Sequence, residues 1–514
     1  MTANPSVSIA RSMLWQPNAI VFISSACIMV LELVASRIIA PLVGTSLYTW
    51  TSIIGIVLAG IMLGNYLGGL LADRWASLRF LGAIYLLSAV ACFTILAVEP
   101  INQMIPRDLP IVTKLVLLTF GLFFLPCTIL GMISPIVAKL AVSDLTKTGS
   151  TVGKIYAAGT FGSILGTFAT GFFLISWFGS FTVVLAVALA LLMMGVFFVL
   201  GARWYAAVVA LALIVGAWTY ISEQGWLRGP CARETNYFCI KLYSEERNGD
   251  QVLAVVLDHL VHSYISPANP KLLEYPQEKV FAEVVDYRDQ YLKRLNRVMV
   301  IGGGGYAFPR YLETVYPNIA THVVEIDPGL TEFTFEHLAL RRDTKIVTYN
   351  EDARLFFVRA PTTRYDLICG DAINHYSVPY HLTTKEFNDR VFAWLEDDGM
   401  YIANLIDGPQ GEFANAYYNT MRQTFPYVYL GMGNRDWRRQ PRSYFTIFAS
   451  KVPVDLSTLA RADGGDGDAL LARLIVNEDD LRAMFADVRR VILTDQYAPV
   501  DQMLAPAFGE EVPR

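Results

Sequence analysis

The chain has 514 residues, 54% of them hydrophobic and only 17% charged, with a mean hydropathy of +0.39. A water-soluble chain of this size would carry about 25% charged residues, so the composition excludes a wholly soluble protein and puts part of it in lipid. Residues 1–221 hold ten Lys/Arg against five Asp/Glu, leaving 31 against 41 for residues 222–514. The second half is therefore net −10, which excludes a nucleic-acid partner, because phosphate binding needs a basic face.

In chain order, seven apolar stretches occur near residues 19–43, 51–72, 81–98, 112–140, 155–177, 181–201 and 205–221. Each has enough residues to cross ~30 Å of hydrocarbon, so residues 1–221 read as a polytopic α-helical membrane domain. Glu32 and Arg37 lie inside the first stretch, as an ion or substrate path or as a structural or interfacial pair. Gly60, Gly64 and Gly68, and again Gly162 and Gly166, recur every four residues, the spacing that lets helices approach closely. The run from Gly64 to Arg74, GNYLGGLLADR, resembles the loop motif after the second helix of major facilitator transporters. The loops bearing Arg74, Arg79, Lys139, Lys147 and Lys154 fall on one side, the cytoplasmic one by the positive-inside rule. With seven crossings of a bacterial-type plasma membrane, the second half lies outside the cytoplasm. Cys231 and Cys239, just past the membrane exit, are either a disulfide of an oxidising compartment or two unpaired thiols. Cys27, Cys92, Cys127 and Cys369 read as packing residues.

After a polar linker at 222–230, the segments 237–243 and 252–257 flank an Asn248-Gly249 turn and predict a β-hairpin. A helix at 276–295 follows. The stretch RVMVIGGGGYAFPRYLETVYPNIATHVVEID, 297–327, then reads as strand, glycine turn, helix, strand and acid. Strands at 345–349, 366–369, 399–404, 428–432 and 444–450 alternate with helices at 352–359, 384–395 and 411–424, which predicts an open, mainly parallel, Rossmann-like α/β domain over 231–451. Residues 452–514 read as a helical extension.

Glycines at 302–305 let the backbone approach a ligand, the helix N-terminus favours polar groups, and an acid about 20 positions on suits a ribose hydroxyl pair. The ligand expected is a nucleoside. Glu325, Asp327, Asp352 and Asp371 all fall at carboxyl ends of predicted strands, where such sheets bind ligands. Asp352 also stands where a helix N-cap would, whereas Asp371 is left to orient a cationic or amine substrate. His375 and His381 read as solvated loop histidines, and His259 and His262 lack the company of further ligands, so no metal is expected.

From Tyr237 to Ser450 these motifs resemble the spermidine synthases, aminopropyltransferases that use decarboxylated S-adenosylmethionine, and the whole layout resembles their membrane-fused bacterial relatives. The resemblance implies an N-terminal hairpin on a spermidine synthase/methyltransferase-type fold. It implies nucleoside binding by Gly302, Gly303, Gly304, Glu325, Asp352 and Ala353. Asp371 takes the position of the catalytic base. Asp258 of LDHLVH, Glu283 of Phe281-Ala282-Glu283, and Asn374 fall at substrate-binding positions. The sequence departs from the family at Gly305, where a loop Asp holds the donor's amine, at Asn374 in place of an Asp, and at His259 and His262 in place of Gly and Gln. The resemblance thus implies a membrane-bound aminopropyltransferase acting on an amine or polyamine. An S-adenosylmethionine-dependent methyltransferase and a transporter or scaffold with a ligand-binding domain are the alternatives. Association as a homodimer is open.

Overall fold

The computed structural model describes residues 17–106, 109–142, 145–200, 204–223, 229–247, 249–372, 378–434, 436–464 and 469–508. The chain divides into two compact units, Met1–Arg107 with Val112–Pro230, and Asp108–Ile111 with Cys231–Arg514. Most of the linker expected at 222–230, together with Asn248, Asn374 and His375, lies outside the described residues.

Among the described residues of the first unit, six helical stretches are long and apolar enough to cross a membrane: α1 (Pro17–Val43), α2 (Leu47–Trp75), α3 (Leu78–Ile95), α4 (Val112–Ala141), α5 (Leu145–Phe178) and α6 (Ser180–Leu200). A further helix, α7 (Trp204–Glu223), occupies the place of the seventh predicted span. Glycine spacing decides the pairing. A Cβ on Gly64 of α2 would stand 2.1 Å from the Thr128 carbonyl oxygen of α4, and one on Gly162 of α5 would stand 2.2 Å from the Phe22 carbonyl oxygen of α1. Any side chain at either position would force the helices apart. At the end of α2, Asp73 pairs with Lys139 of α4 at 2.8 Å. Glu32 and Arg37 are both half-buried in α1.

The second unit opens with an antiparallel sheet in the order β1 (Arg233–Glu234), β2 (Cys239–Arg247), β3 (Asp250–Leu257), β4 (Leu260–Ile265). The predicted hairpin is its β2–β3 pair; β4 was not foreseen as its own strand. Cys231 and Cys239 are joined by a disulfide. Next comes α8 (Pro276–Asp286), followed by β5 (Arg297–Ile301), α9 (Ala307–Val315), β6 (Ala320–Val324), α10 (Pro328–His337), β7 (Val347–Tyr349), α11 (Ala353–Val358) and β8 (Tyr365–Gly370). The chain continues through α12 (Lys385–Trp394), β9 (Leu395–Asp407), α13 (Glu412–Met421), β10 (Tyr427–Met432), β11 (Ser443–Ser450) and α14 (Leu470–Leu474).

The seven strands β5 to β11 form one sheet in the order β10-β11-β9-β8-β5-β6-β7. β7, β6, β5, β8 and β9 run parallel, and β11 and β10 close the sheet antiparallel. The α/β fold read from the alternation of strands and helices is the one observed. Both faces of the sheet are covered by apolar layers, Met299, Ile301, Phe357 and Phe387 among the residues of one, and Val298, Val300, Phe281 and Leu312 among those of the other. The strand order reverses between β5 and β8, and a crevice opens at that point outside the carboxyl ends of the strands.

Candidate functional site

β5 delivers the chain into the glycine turn at this crevice. Gly302 takes φ 92° and Gly304 φ 49°. A Cβ on Gly302 would lie 2.6 Å from the Asp371 carbonyl oxygen, so only glycine brings the turn against the end of β8. Glu325, the first residue past β6, is 4% exposed. Its carboxylate folds back onto the turn, accepting the Gly303 N–H at 2.6 Å and the Asp327 N–H at 2.9 Å. Burial pushes its pKa up to about 7, against the pull of those two donors.

Several predicted acids are engaged locally. Asp327 is fully buried and accepts from the Gly329 N–H and the Thr235 hydroxyl, which makes it the cap of α10. Asp352 caps α11, accepting from Arg354 N–H at 2.7 Å and Leu355 N–H at 3.3 Å, with Ala353 opening that helix. His381 Nε2 lies 3.4 Å from its other oxygen. Asp258 sits in the β3–β4 turn at φ 58° and accepts the Cys239 N–H at 3.0 Å. Glu283 does not face the crevice. It is 1% exposed, and its two oxygens take the N–H groups of Leu470 and Leu471, each at 2.6 Å, at the start of α14.

Asp371, just beyond β8, is the acid that meets the crevice. Asn404 Nδ2 of β9 donates to its Oδ1 at 3.2 Å, and burial pushes its pKa up to about 6. Facing it from the first turn of α8 is Glu278, 5% exposed, held well above the ordinary carboxylate range by burial and then by the charge of Asp371. Gln277 accepts from the Thr446 hydroxyl at 3.3 Å. Tyr275 is hydrogen-bonded to Tyr444. Buried polar atoms on Glu278 (Oε2), Gln277 (Nε2), Asn404 (Oδ1) and Ser443 (Oγ) have no hydrogen-bond partner among the described residues. Leaving a buried polar atom unmet costs about 1–3 kcal/mol, so each of these atoms would gain from a polar partner. Asn404 also borders an apolar pocket lined by Ile301, Ala372, Val378, Leu382 and Phe413 over Tyr401 and Tyr417.

The hairpin sheet closes the loop end of the crevice. The Gly305 N–H donates to Ser263 Oγ of β4 at 3.1 Å. A Cβ at Gly305 would stand 2.3 Å from that oxygen. His262, the next residue on β4, has its pKa pushed down to about 4 by burial.

On α8 the motif points to Glu283, but the fold turns Glu283 away from the crevice. Glu278 and Glu283 are five residues apart, about 140° around a helix, so only one can reach the crevice, and the one in Tyr275-Pro276-Gln277-Glu278 does. The aromatic residue and Gln-Glu pair at the proline-marked helix start were the available signal. Ser263, Asn404 and Tyr444 had none, being brought in by strand pairing alone.

No family model matches the chain. It is 32% identical over 112 residues to a polyamine aminopropyltransferase of Vibrio vulnificus (strain CMCP6), covering 21% of this chain and 38% of that one. It is 27% identical over 132 residues to a probable polyamine aminopropyl transferase of Bifidobacterium longum (strain NCC 2705), covering 25% of this chain and 29% of that one. The α/β unit is spermidine synthase-like. These matches span less than half the length of the curated relatives. A crystal structure of a probable spermidine synthase from Corynebacterium glutamicum ATCC 13032 aligns with 52% of this chain and 98% of its own, at 20% identity and a TM-score of 0.44. The glycine turn, Glu325 and Asp371 lie together at the carboxyl ends of β5, β6 and β8, with Glu278 rather than Glu283 near Asp371.

Proposed function

We propose that the protein is a membrane-anchored aminopropyltransferase whose α/β unit takes decarboxylated S-adenosylmethionine as co-substrate and a small amine or polyamine as acceptor. The observation that carries this reading is the convergence of half-buried Asp371 and buried Glu278 beside the glycine turn. The turn at Gly302–Gly304 lets the backbone approach the nucleoside. Each oxygen of Glu325 keeps a lone pair for the ribose hydroxyls beyond the N–H bond it accepts. The apolar pocket beside Asn404 suits the flat base, with Asp352 and Ala353 at its margin as the resemblance implies.

The donor supplies an aminopropyl carbon bonded to a sulfonium sulfur. Asp371 takes one proton from the acceptor ammonium and orients the resulting amine. As nitrogen bonds to that carbon, the carbon–sulfur bond breaks, its electron pair stays on the now neutral thioether, and the product leaves as a secondary ammonium. Glu278 holds an ammonium group in place during this step. Methyl transfer on the same fold would give Glu278 no such task.

The joined Cys231–Cys239 pair and the basic loops at Arg74, Arg79, Lys139, Lys147 and Lys154 support an α/β unit on the non-cytoplasmic side of a bacterial-type plasma membrane. Labelling intact cells with an impermeant maleimide, before and after reduction, tests the side. The activity is tested on the purified full chain with labelled donor and a panel of amines. Release of the thioether nucleoside, slowed by about 10²-fold or more in Asp371→Asn, is the expected result; failure to bind any thioadenosine nucleoside overturns the reading.

A further inference from the structure

The charges along the crevice are not uniform, and they select among amines. Of the acids that the sequence places near the nucleoside, Glu325, Asp327, Asp352, Asp258 and Glu283 each accept backbone N–H bonds. Among the described residues that leaves Asp371 and Glu278 as the carboxylates facing the cleft beside the turn. The loop end adds none, because Gly305 is packed against Ser263 with no room for a side chain. The reacting nitrogen of the acceptor already engages both acids, so the second ammonium of a diamine would meet none.

The far end carries the opposite sign. Thr446 of β11 lies opposite Asn404 of β9, Tyr444 falls on the same face by strand alternation, and Arg442 directly precedes the strand. At ~3.4 Å per residue, Tyr444 stands ~7 Å along the strand from Thr446. The Arg442 guanidinium lies 5.8 Å from the centre of the Tyr444 ring. Burial, Tyr444 and the Asp371 charge push the Tyr275 hydroxyl up, and the Arg442 charge pulls against them. The Tyr264 ring lies tilted 6.3 Å from that of Tyr275 and accepts from Arg247, but Arg247 is paired with Glu245 at 2.9 Å and has Glu274 nearby, so that flank offers no free cation among the described residues. The order from the inner end outward is carboxylates, tyrosines, arginine.

We propose that the acceptor is a primary amine with an anionic far end, of the ω-amino acid class, rather than a diamine. Its amine end seats at Glu278 and Asp371, its methylene chain runs along Tyr275 and Tyr444, and Arg442 receives its carboxylate. This rests on the aminopropyl-acceptor reading above.

The test compares three acceptors of equal length, 4-aminobutanoate, butylamine and putrescine, on the full-length protein with decarboxylated S-adenosylmethionine. Release of 5′-methylthioadenosine gives kcat/KM, and calorimetry of each acceptor on the complex with 5′-methylthioadenosine ranks affinities independently of turnover. We expect 4-aminobutanoate to exceed putrescine by tenfold or more in both measurements, and Arg442→Gln to bring the two within about threefold. Putrescine equal to or better than 4-aminobutanoate, an unchanged ratio in Arg442→Gln, or no acceptor binding to the nucleoside complex would overturn the inference alone. Absence of nucleoside binding would instead remove the transferase reading on which it rests.

Discussion

The two glutamates of α8 give the sharpest contrast between a motif and its place in the fold. Glu283 holds two backbone N–H groups, each at 2.6 Å, at the start of α14. In Glu283→Gln one oxygen still accepts, but the new NH2 opposes a buried N–H donor. Losing one charge-assisted bond and stranding its donor costs about 3 kcal/mol, which for a unit of this size lowers the melting temperature by about 5–8 °C. Glu278 is 5% exposed with an unmet oxygen, next to Asp371. Glu278→Gln removes a buried like charge, so the melting temperature stays the same or rises. Its amine affinity, however, falls by about tenfold or more, the worth of one charge-assisted hydrogen bond of about 1.5–3 kcal/mol. Thermal unfolding of the detergent-purified chain reads the first effect, and calorimetry with an amine over the nucleoside complex reads the second. Loss of amine affinity in a fully stable Glu283→Gln, or a large loss of stability in Glu278→Gln, would refute the assignment.

With its pKa pushed up to about 6, Asp371 acts as a base only once deprotonated, so kcat/KM should rise with pH through about 6. In Asp371→Asn that rise should vanish and turnover fall by about 10²-fold or more. Gly305→Asp should lower the melting temperature, because its Cβ would meet Ser263 Oγ at 2.3 Å. An overpacking cost of about 1–3 kcal/mol is expected, and Ser263→Gly should recover much of it; equal melting of single and double variants would refute the contact. Glu325→Gln should weaken nucleoside binding measurably in calorimetry, since its amide cannot accept both the Gly303 and Asp327 N–H groups.

Where the sequence was legible, a residue type had one physical use. Glycine at 302 and at 64 is required by close backbone approach, and both the turn and the helix pairing were readable from spacing. Acids at strand ends were ambiguous for a reason built into the fold. In a doubly wound sheet the carboxyl end of a strand is followed by the N-terminus of a helix, so a ligand acid and an N-cap occupy the same place in the sequence. Asp327 and Asp352 are caps, whereas Asp371 caps no described helix and takes the Asn404 amide instead. The contact of Gly305 with Ser263, 42 residues apart, depends on how the hairpin sheet lies over the turn, which no local pattern encodes.

The buried acids also set how the fold responds to pH. Burial raises Asp371 to about 6 and both Glu325 and Asp407 to about 7. In the unfolded chain such carboxyls lose their protons near pH 4. Between about pH 4 and 7 the folded state therefore binds more protons than the unfolded one, and stability must fall as pH rises through that window. Above about 7 both states are deprotonated at these sites and their contribution levels off. Surface carboxylates paired with arginine, such as Asp343 with Arg341, have lowered values and act in the opposite sense at lower pH, but they are exposed and screened. Urea denaturation of the full chain between pH 4.5 and 8 should thus show midpoints decreasing toward neutrality. Glu325→Gln and Asp407→Asn should each flatten that slope. A midpoint that instead rises steadily from pH 4.5 to 7 would mean that these carboxylates are ionised in the fold, and that the protein spends the stability needed to keep a charged crevice ready for a cation.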